Sequence, residues 1–342
     1  MKTWEGFQKG VNLGGWYSQC DYSEERYNNF IKDEDFKVIK SWGLDHIRLP
    51  IDYQLIETDD GQPIAKGIER IQHVIDQCKL NGLNMILDLH KTAGYFFHEE
   101  ANEMGFFEDE KLQERFYALW IRLAKEFGKY DDMLAFELLN EVTSKEYCDP
   151  WNRISNECVK RIREYAPKIK ILIGGYYNNS VEAVKDIAAP YDENIIYNFH
   201  CYEPLIFTHQ GAPWIPTMDT SFRVNVDAPY SEMDAAGVKM LSQVTTGFPG
   251  FEGTDTLSPA YFEAIFKEAL EVAEERNVAL YCGEYGVIDR TSPEQALKWY
   301  QTINATFTKY GIGRAAWSYR EMDFGLSDSR MDGVRDELIK YL

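Results

Sequence analysis

The chain has 342 residues, of which 44% are hydrophobic, and its 36 basic and 56 acidic side chains give a formal net charge of −20. That apolar fraction is enough for a large core and excludes a disordered chain. The acidic balance argues against nucleic acid and anionic membranes as partners, because both are bound by clusters of Lys and Arg. We therefore expect a globular protein that binds something neutral or cationic.

Short apolar runs alternate with longer amphipathic segments from one end of the chain to the other. The runs predict eight strands, at 10–13, 45–49, 84–89, 134–139, 169–173, 195–199, 279–282 and 314–317. Apolar stripes of helical period predict helices at 36–42, 68–78, 112–127, 151–165, 181–188, 259–276 and 292–310.

This alternation predicts the fold class, an α/β protein with a single (β/α)8 TIM barrel. Such barrels reach about 250 residues or more as one domain, so the length demands no second one. A doubly wound open sheet is the alternative, and eight evenly repeated units favour the closed barrel. We expect one catalytic domain over residues 1–342.

One interval breaks the regular spacing. Residues 203–258, between the sixth strand and its helix, are about ten times as long as a usual βα loop. They contain a helix-like piece at 230–243. We expect an inserted subdomain here, standing over the C-terminal face of the barrel, where active sites of this fold lie.

Polar and aromatic residues of catalytic types come at or just after the ends of nearly every predicted strand. In a barrel such positions face the pocket, whereas aliphatic residues fill the interior. Any one of them has an ordinary structural explanation, but their joint occurrence predicts an active site. They are Arg48, His90, Asn140, Glu141, His200, Tyr202, Glu284 and Trp317.

Two of these residues, Glu141 and Glu284, predict the chemistry. Cleavage of a glycosidic bond needs one protonated carboxyl and one carboxylate, and carboxyls about 5–5.5 Å apart give retention of configuration. Arg48 and Tyr202 are expected to keep Glu284 ionised, as a nucleophile requires. Asn140 is expected to bind a sugar hydroxyl.

These residues resemble glycoside hydrolase family 5 of clan A, and within it the clostridial endoglucanase C type. The eight positions match the family's full active-site set in order, and the resemblance extends to residues 10–16, 207–210 and the long insertion. It implies that Glu141 is the acid/base and Glu284 the nucleophile. It also implies substrate binding by Arg48, His90, Asn140, His200, Tyr202 and Trp317, with Trp214 reaching over the cleft.

The resemblance fixes the reaction better than the substrate. Lys91 stands where many members have a second histidine. The leading hypothesis is a retaining endo-β-1,4-glucanase acting on cellulose, carboxymethylcellulose or mixed-linkage β-glucan. The alternatives are a β-mannanase or glucomannanase, an exo-β-1,3-glucanase and, more remotely, a non-catalytic sugar-binding barrel.

Cofactors and metals are not expected. The sequence around His98 lacks the second histidine of a zinc motif, and residues 311–316 fit a dinucleotide motif only in the wrong structural context. The expected partner is a β-linked polysaccharide or oligosaccharide, and a monomer is expected. The N-terminus has no apolar signal segment, which leaves a cytoplasmic protein and a secreted one without its signal equally open. Trp16 and Trp151 are additional candidates for sugar contacts.

Overall fold

The computed structural model describes residues 1–98, 104–241, 248 and 250–342. Eight parallel strands close into one barrel in chain order, with β1 paired to β8. They are β1 (Lys9–Asn12), β2 (His46–Asp52), β3 (Asn84–Lys91), β4 (Leu134–Glu137), β5 (Lys170–Ile173), β6 (Ile195–Cys201), β7 (Ala279–Tyr285) and β8 (Gly313–Ala316). The closure confirms the predicted (β/α)8 TIM barrel, and the open doubly wound alternative is wrong.

Helices surround this barrel. They are α1 (Glu24–Asn29), α2 (Asp33–Ser41), α3 (Ala65–Asn81), α4 (Glu110–Phe127), α5 (Cys148–Arg163), α6 (Tyr176–Asn179), α7 (Leu205–Thr208), α8 (Tyr230–Met240), α9 (Pro259–Glu275), α10 (Pro293–Tyr310) and α11 (Arg335–Leu338). Short 3-10 helices lie at Tyr53–Leu55, Gly128–Tyr130, Lys145–Tyr147, Val181–Asp186 and Ser329–Met331. Among the described residues, no helix has both the length and the apolar character needed to cross a bilayer.

One predicted helix was wrong in type. Residues 181–188 form a 3-10 helix at Val181–Asp186 instead of an α-helix. Its buried residues are Ala183 and Val184. That small apolar surface is too little to stabilise a longer α-helix, since tertiary packing supplies most helical stability.

The interior of the barrel is apolar near its N-terminal end. Trp4 and Phe7, whose rings stack at 3.9 Å, pack against strand residues there. The strand members of this cluster are Ile86, Ala135, Leu172, Ile196, Ala279, Tyr281 and Ala315. This layer closes the N-terminal end of the barrel.

A polar layer lies further along the strands. Its members, all fully buried, are Arg48, Asp88, Glu137 and Asn198. Buried polar groups need partners, and these four hydrogen-bond to one another and to residues at the C-terminal end of the barrel. The layer therefore connects the packed interior to the face where barrel enzymes carry their active sites.

The segment between β6 and α9 contains α7 and α8. The predicted helix at 230–243 is present as Tyr230–Met240, and its last two residues lie outside the described residues. Its organisation as an inserted subdomain stays a prediction.

Candidate active site

The predicted site residues lie at the C-terminal end of the barrel. Arg48, His90, His200 and Glu284 belong to strands β2, β3, β6 and β7, whereas Asn140, Glu141, Tyr202 and Trp317 follow β4, β6 and β8. Direct contacts join six of them: Arg48 to Asn140 and Glu284, Tyr202 to Glu284, and His200 to Glu141. The rings of the other two, His90 and Trp317, stack in parallel and line the same cleft as both glutamates.

The placement of Arg48 differs from the prediction. β2 continues to Asp52, paired with β3, so Arg48 is the third residue of the strand and not its end. Its side chain is fully buried inside the barrel. Arg48 therefore acts on the site from below, through its neighbours.

Arg48 is one cation among three carboxylates. Its guanidinium donates to Glu137 through Nε at 2.7 Å and Nη2 at 2.8 Å, and to Glu284 through Nη1 at 2.8 Å. Nη2 also lies 3.0 Å from Asp88 Oδ2. Burial opposes the charge of Arg48, but the carboxylates outweigh it and raise its pKa.

Asp88 keeps its proton at neutral pH, which lowers the negative charge of this layer. Burial raises its pKa to about 8, against the pull of Arg48. Asp88 Oδ2 also lies 2.7 Å from His90 Nδ1, and burial lowers the pKa of that imidazole. The contact at Nδ1 leaves Nε2 as the ring nitrogen that is available to a ligand.

Two donors contact the carboxyl group of Glu284. Arg48 Nη1 donates to Oε1, and the Tyr202 hydroxyl donates to Oε2 at 2.8 Å. Burial, together with the charge of Glu284, raises the pKa of Tyr202 well above its ordinary value, so the phenol keeps its proton. A carboxylate fixed by a cation and a phenol is suited to nucleophilic attack.

Glu141 has different surroundings. Its φ of 31° is unusual for a residue other than glycine, and the Tyr95 hydroxyl donates to its carbonyl at 2.7 Å. Asn178 Nδ2 donates to Oε2 at 3.0 Å, and His200 Nδ1 lies 2.9 Å from Oε1. Burial raises the pKa of Glu141, whereas the Asn178 hydrogen bond lowers it. Glu141 is therefore suited to hold and release a proton.

The two glutamates are close. One carboxylate oxygen of each, together with a ring nitrogen of His200, lie within 4.8 Å of one another. Among the described residues, this is the group of three whose spacing suits a metal ion. Burial lowers the pKa of His200 to about 4, so the imidazole is neutral. Arg48, however, already donates to Glu284 at 2.8 Å, and this cation disfavours a second one beside that carboxyl group.

The cleft above these carboxyls has two connected parts. The part that we call the Trp317 half has a volume of about 270 Å³ and contains His90, Glu141, Glu284 and Trp317. The part that we call the Tyr177 half, about 300 Å³, contains Glu141 and Tyr177. Glu141 lies where the two halves meet.

Two of the predicted site residues carry a buried polar atom without a partner in the described part of the chain. His90 Nε2 and Asn140 Nδ2 have no hydrogen-bond partner among the described residues. Their other polar atoms are occupied, because Asp88 pairs with His90 Nδ1 and Arg48 donates to Asn140 Oδ1 at 2.9 Å. A buried group without a partner is costly, so these atoms are suited to bind hydroxyl groups of a substrate.

The ring of Trp317 forms one wall of the cleft. It is 6% exposed, and its plane lies within 5° of the His90 ring at a centroid distance of 5.7 Å. A Cβ atom at Gly14 would lie 2.6 Å from the indole, so glycine is required beside it. A flat apolar face of this kind is suited to pack on a sugar ring.

Of the three tryptophans considered for sugar contacts, Trp214 is the accessible one. It is 42% exposed and lines both halves of the cleft. Trp16 and Trp151 are buried, and their indole N–H groups donate to the carbonyls of Tyr27 and Gly174. Their predicted sugar contacts are wrong, because both rings are packed in the core.

Several polar residues of the site were missed from the sequence. Asp88 and Glu137 had a signal, since each is an acidic residue within an apolar strand run, where burial demands a partner. The other missed residues, Tyr95, Asn178, Asn179 and His209, lie outside the strands. His209 belongs to the 207–210 run that contributes to the family resemblance, whereas nothing in the spacing of the other three distinguishes them.

A barrel with two close carboxyls, an aromatic wall and free hydrogen-bonding groups at its C-terminal end is typical of enzymes that hydrolyse glycosidic bonds. The profile of the family described as "Cellulase (glycosyl hydrolase family 5)" matches residues 5–323, and the chain belongs to this family. It is a glycoside hydrolase, as the sequence predicts.

Its relatives include proteins named as a cellodextrinase and as endoglucanases. The chain is 47% identical over 309 residues to Cellodextrinase A of Ruminococcus flavefaciens, covering 90% of this chain and 84% of that protein. It is 35% identical over 340 residues to Endoglucanase C of Acetivibrio thermocellus, covering 98% of each. A solved hyperthermophilic endo-β-1,4-glucanase in complex with substrate superposes with a TM-score of 0.74 at 26% identity, over 95% of this chain and 92% of that one.

Proposed function

We propose that this glycoside hydrolase cleaves β-1,4-linked glucans with retention of anomeric configuration. The observation that carries the proposal is the approach of Glu141 and Glu284 oxygens to within 4.8 Å. Retaining enzymes hold their carboxyls about 5–5.5 Å apart, whereas inverting enzymes need about 6.5–9.5 Å to admit a water molecule between carboxylate and sugar.

The surroundings of the two carboxyls support their separate roles. Glu141, whose pKa burial raises, donates its proton to the glycosidic oxygen as the bond to the anomeric carbon breaks. Glu284, which accepts a hydrogen bond from Arg48, attacks that carbon and forms a glycosyl ester. Glu141 then takes a proton from water, whose oxygen displaces Glu284 and releases the sugar.

The wall and floor of the cleft support binding of the remaining substrate. Trp317 offers its face to the sugar that is attacked, and Asn140 Nδ2 is free for its 2-hydroxyl. His90 Nε2 is free for a second hydroxyl. These contacts suit an uncharged polysaccharide, in agreement with a chain whose net charge is −20.

We propose internal cleavage of long β-1,4-glucans, in line with the relative named Endoglucanase C. The relative named Cellodextrinase A supports a second candidate, cleavage of short cellodextrins. β-Mannan and β-1,3-glucan stay alternatives. We also propose that residues 203–258 form an inserted subdomain of a single catalytic domain, since His209 and Trp214 of this segment line the cleft.

A product profile separates these substrates. The purified protein is incubated with carboxymethylcellulose, barley mixed-linkage glucan, glucomannan, laminarin and cellopentaose, and products are followed by size and by viscosity. We expect a rapid fall in viscosity with carboxymethylcellulose and barley glucan. Cleavage of cellopentaose without that fall would favour the cellodextrinase candidate, and cleavage of laminarin alone would contradict β-1,4 action.

A further inference from the structure

The segment named α6, which follows β5 after two residues, is a strained turn whose backbone is not helical, and it lines the Tyr177 half of the cleft. Tyr177, Asn178 and Asn179 follow one another with φ of 50°, 56° and 56°, in the left-handed region. Residues other than glycine seldom adopt this conformation. Where such residues persist, the surrounding structure imposes the conformation, often at ligand-binding and active sites.

Contacts on both sides hold this 177–179 turn in place. The Asn178 N–H donates to the carbonyl of Val142, the residue after Glu141, at 2.9 Å. Asn179 is fully buried against Gly174, where a Cβ atom would lie 2.2 Å from Asn179 Oδ1. The backbone that carries Asn178 is thus tied to the loop that carries Glu141.

The side chain of Asn178 contacts Glu141 itself. Its amide donates to Oε2 at 3.0 Å, while His200 lies 2.9 Å from Oε1. Both oxygens of the carboxyl are therefore held, which fixes the direction in which the carboxyl faces the cleft.

Tyr177 is the exposed member of the turn. Its side chain is 49% exposed, lines the Tyr177 half and meets the ring of Tyr176 edge-on at 4.8 Å. Glu284 and Trp317 are absent from the described residues that line this half. Because the acid protonates the leaving oxygen, the half that contains Glu141 without the nucleophile receives the leaving sugar.

We infer that the 177–179 turn couples binding of the leaving sugar to its protonation. Tyr177 packs on the leaving sugar, and Asn178 is a positioning residue that aims Glu141 at the glycosidic oxygen. This inference rests on the proposed function, because it takes Glu141 as the acid.

Two substrates separate the inference from the function. Cellotetraose has a sugar leaving group that needs a proton. In β-cellobiosyl fluoride the leaving group is fluoride. Fluoride leaves with little acid assistance and occupies no sugar subsite. The value of kcat/KM reports cleavage of the scissile bond for both. If the parent protein cleaves neither substrate, the proposed function fails; the inference is tested when the parent cleaves both.

Asn178→Gly removes the amide at a position where glycine adopts the same φ without strain. We expect kcat/KM for cellotetraose to fall about 10- to 100-fold, a part of what a general acid contributes, with the fluoride unchanged within about twofold. The alkaline limb of the cellotetraose profile should move to higher pH, because burial of Glu141 is then opposed by one hydrogen bond fewer. Asn178→Asp keeps the size of the side chain, lacks the donor and should behave alike.

Asn277→Gly is the matched control. Asn277 has φ of 52°, is exposed and lies before β7, at the opposite end of the barrel. It should match the parent on both substrates.

Tyr177→Ala tests whether the Tyr177 ring packs on the leaving sugar. We expect KM for cellotetraose to rise about 2- to 10-fold, the range of one aromatic contact, with the fluoride unaffected. Tyr191→Ala, at a tyrosine that is 50% exposed before β6, is its control. Equal losses on both substrates in both Asn178 variants, or an unchanged KM in Tyr177→Ala, would overturn the inference.

Discussion

The two halves of the cleft are built from different kinds of structure. Strand residues and the buried polar layer that includes Arg48 support the Trp317 half, whose indole is only 6% exposed. Loops and a left-handed turn form the Tyr177 half, whose Tyr177 side chain is 49% exposed, and Trp214, which lines both halves, is 42% exposed. The first half is lined mainly by buried, hydrogen-bonded side chains, whereas the second offers accessible surfaces.

This difference matches the separate tasks of the halves in the proposed mechanism. A nucleophile and the hydroxyls around it must be placed within a fraction of an ångström, which rigid elements achieve better than loops. A leaving chain of variable length is better served by exposed platforms. Glu141 lies between the halves and depends on both, through His200 of β6 and Asn178 of the turn.

The largest expected effects come from the two glutamates. Glu284→Gln should lower kcat/KM at least ~10³-fold on cellotetraose and on β-cellobiosyl fluoride, because both substrates need the nucleophile. Glu141→Gln should lower it at least ~10²-fold on cellotetraose and leave the fluoride within about tenfold. Glu203→Gln, at a third carboxyl that lines the Tyr177 half, is the control and should change both values less than about tenfold. A Glu141 variant with equal losses on both substrates would assign it another role.

Trp317 and Trp214 allow a buried aromatic wall to be compared with an exposed one. Trp317→Ala should lower kcat/KM about 10- to 100-fold and lower the melting temperature, because it empties a packed wall beside Gly14 and His90. Trp214→Ala should raise KM about 2- to 10-fold with little effect on stability, since that ring is largely in solvent. Steady-state kinetics and thermal unfolding measure both variants. If Trp214→Ala lowered kcat/KM more than Trp317→Ala did, the exposed ring would contribute more to activity than the buried one, contrary to our expectation.

The pH profile should depend on the leaving group. In the proposed mechanism Glu141 must be protonated for the first step, and burial raises its pKa. Activity is therefore present below that pKa and falls as pH rises through it. We expect this alkaline limb in kcat/KM for cellotetraose and its absence for β-cellobiosyl fluoride. The same limb with both substrates would place the titrating group elsewhere.

The smallest expected effect concerns stability. Burial raises the pKa of Asp88 to about 8, so the folded state holds a proton that the unfolded state releases above about pH 4. The contribution of Asp88 to stability therefore falls as pH rises from about 4 to 8. Asp88→Asn removes this dependence. The melting temperature of the variant minus that of the parent should therefore increase by at least ~2 °C when the pH is raised from 5 to 9. Asp132→Asn, at an exposed position, should show no such gain.

The same contrast explains what the sequence predicted. Strand-borne residues such as Arg48, His90 and Glu284 follow a pattern with a physical cause, because a polar side chain in an apolar strand must face a pocket or a partner. The barrel followed from the alternation of strand and helix periods in the same way. Asn178 and Tyr177 depend on a turn whose φ values no local pattern specifies. Trp16 and Trp151 show the reverse error, since a tryptophan in a loop sequence has no signature that separates burial from exposure.

Trapping of the covalent intermediate tests the central claim most directly. The protein is incubated with 2-deoxy-2-fluoro-β-cellobiosyl fluoride, in which the fluorine slows hydrolysis of the glycosyl-enzyme, and peptides are then analysed by mass spectrometry. The proposed mechanism predicts one fluorocellobiosyl group for each chain, carried by Glu284. A group on Glu141, or turnover that yields an inverted product without any adduct, would contradict it.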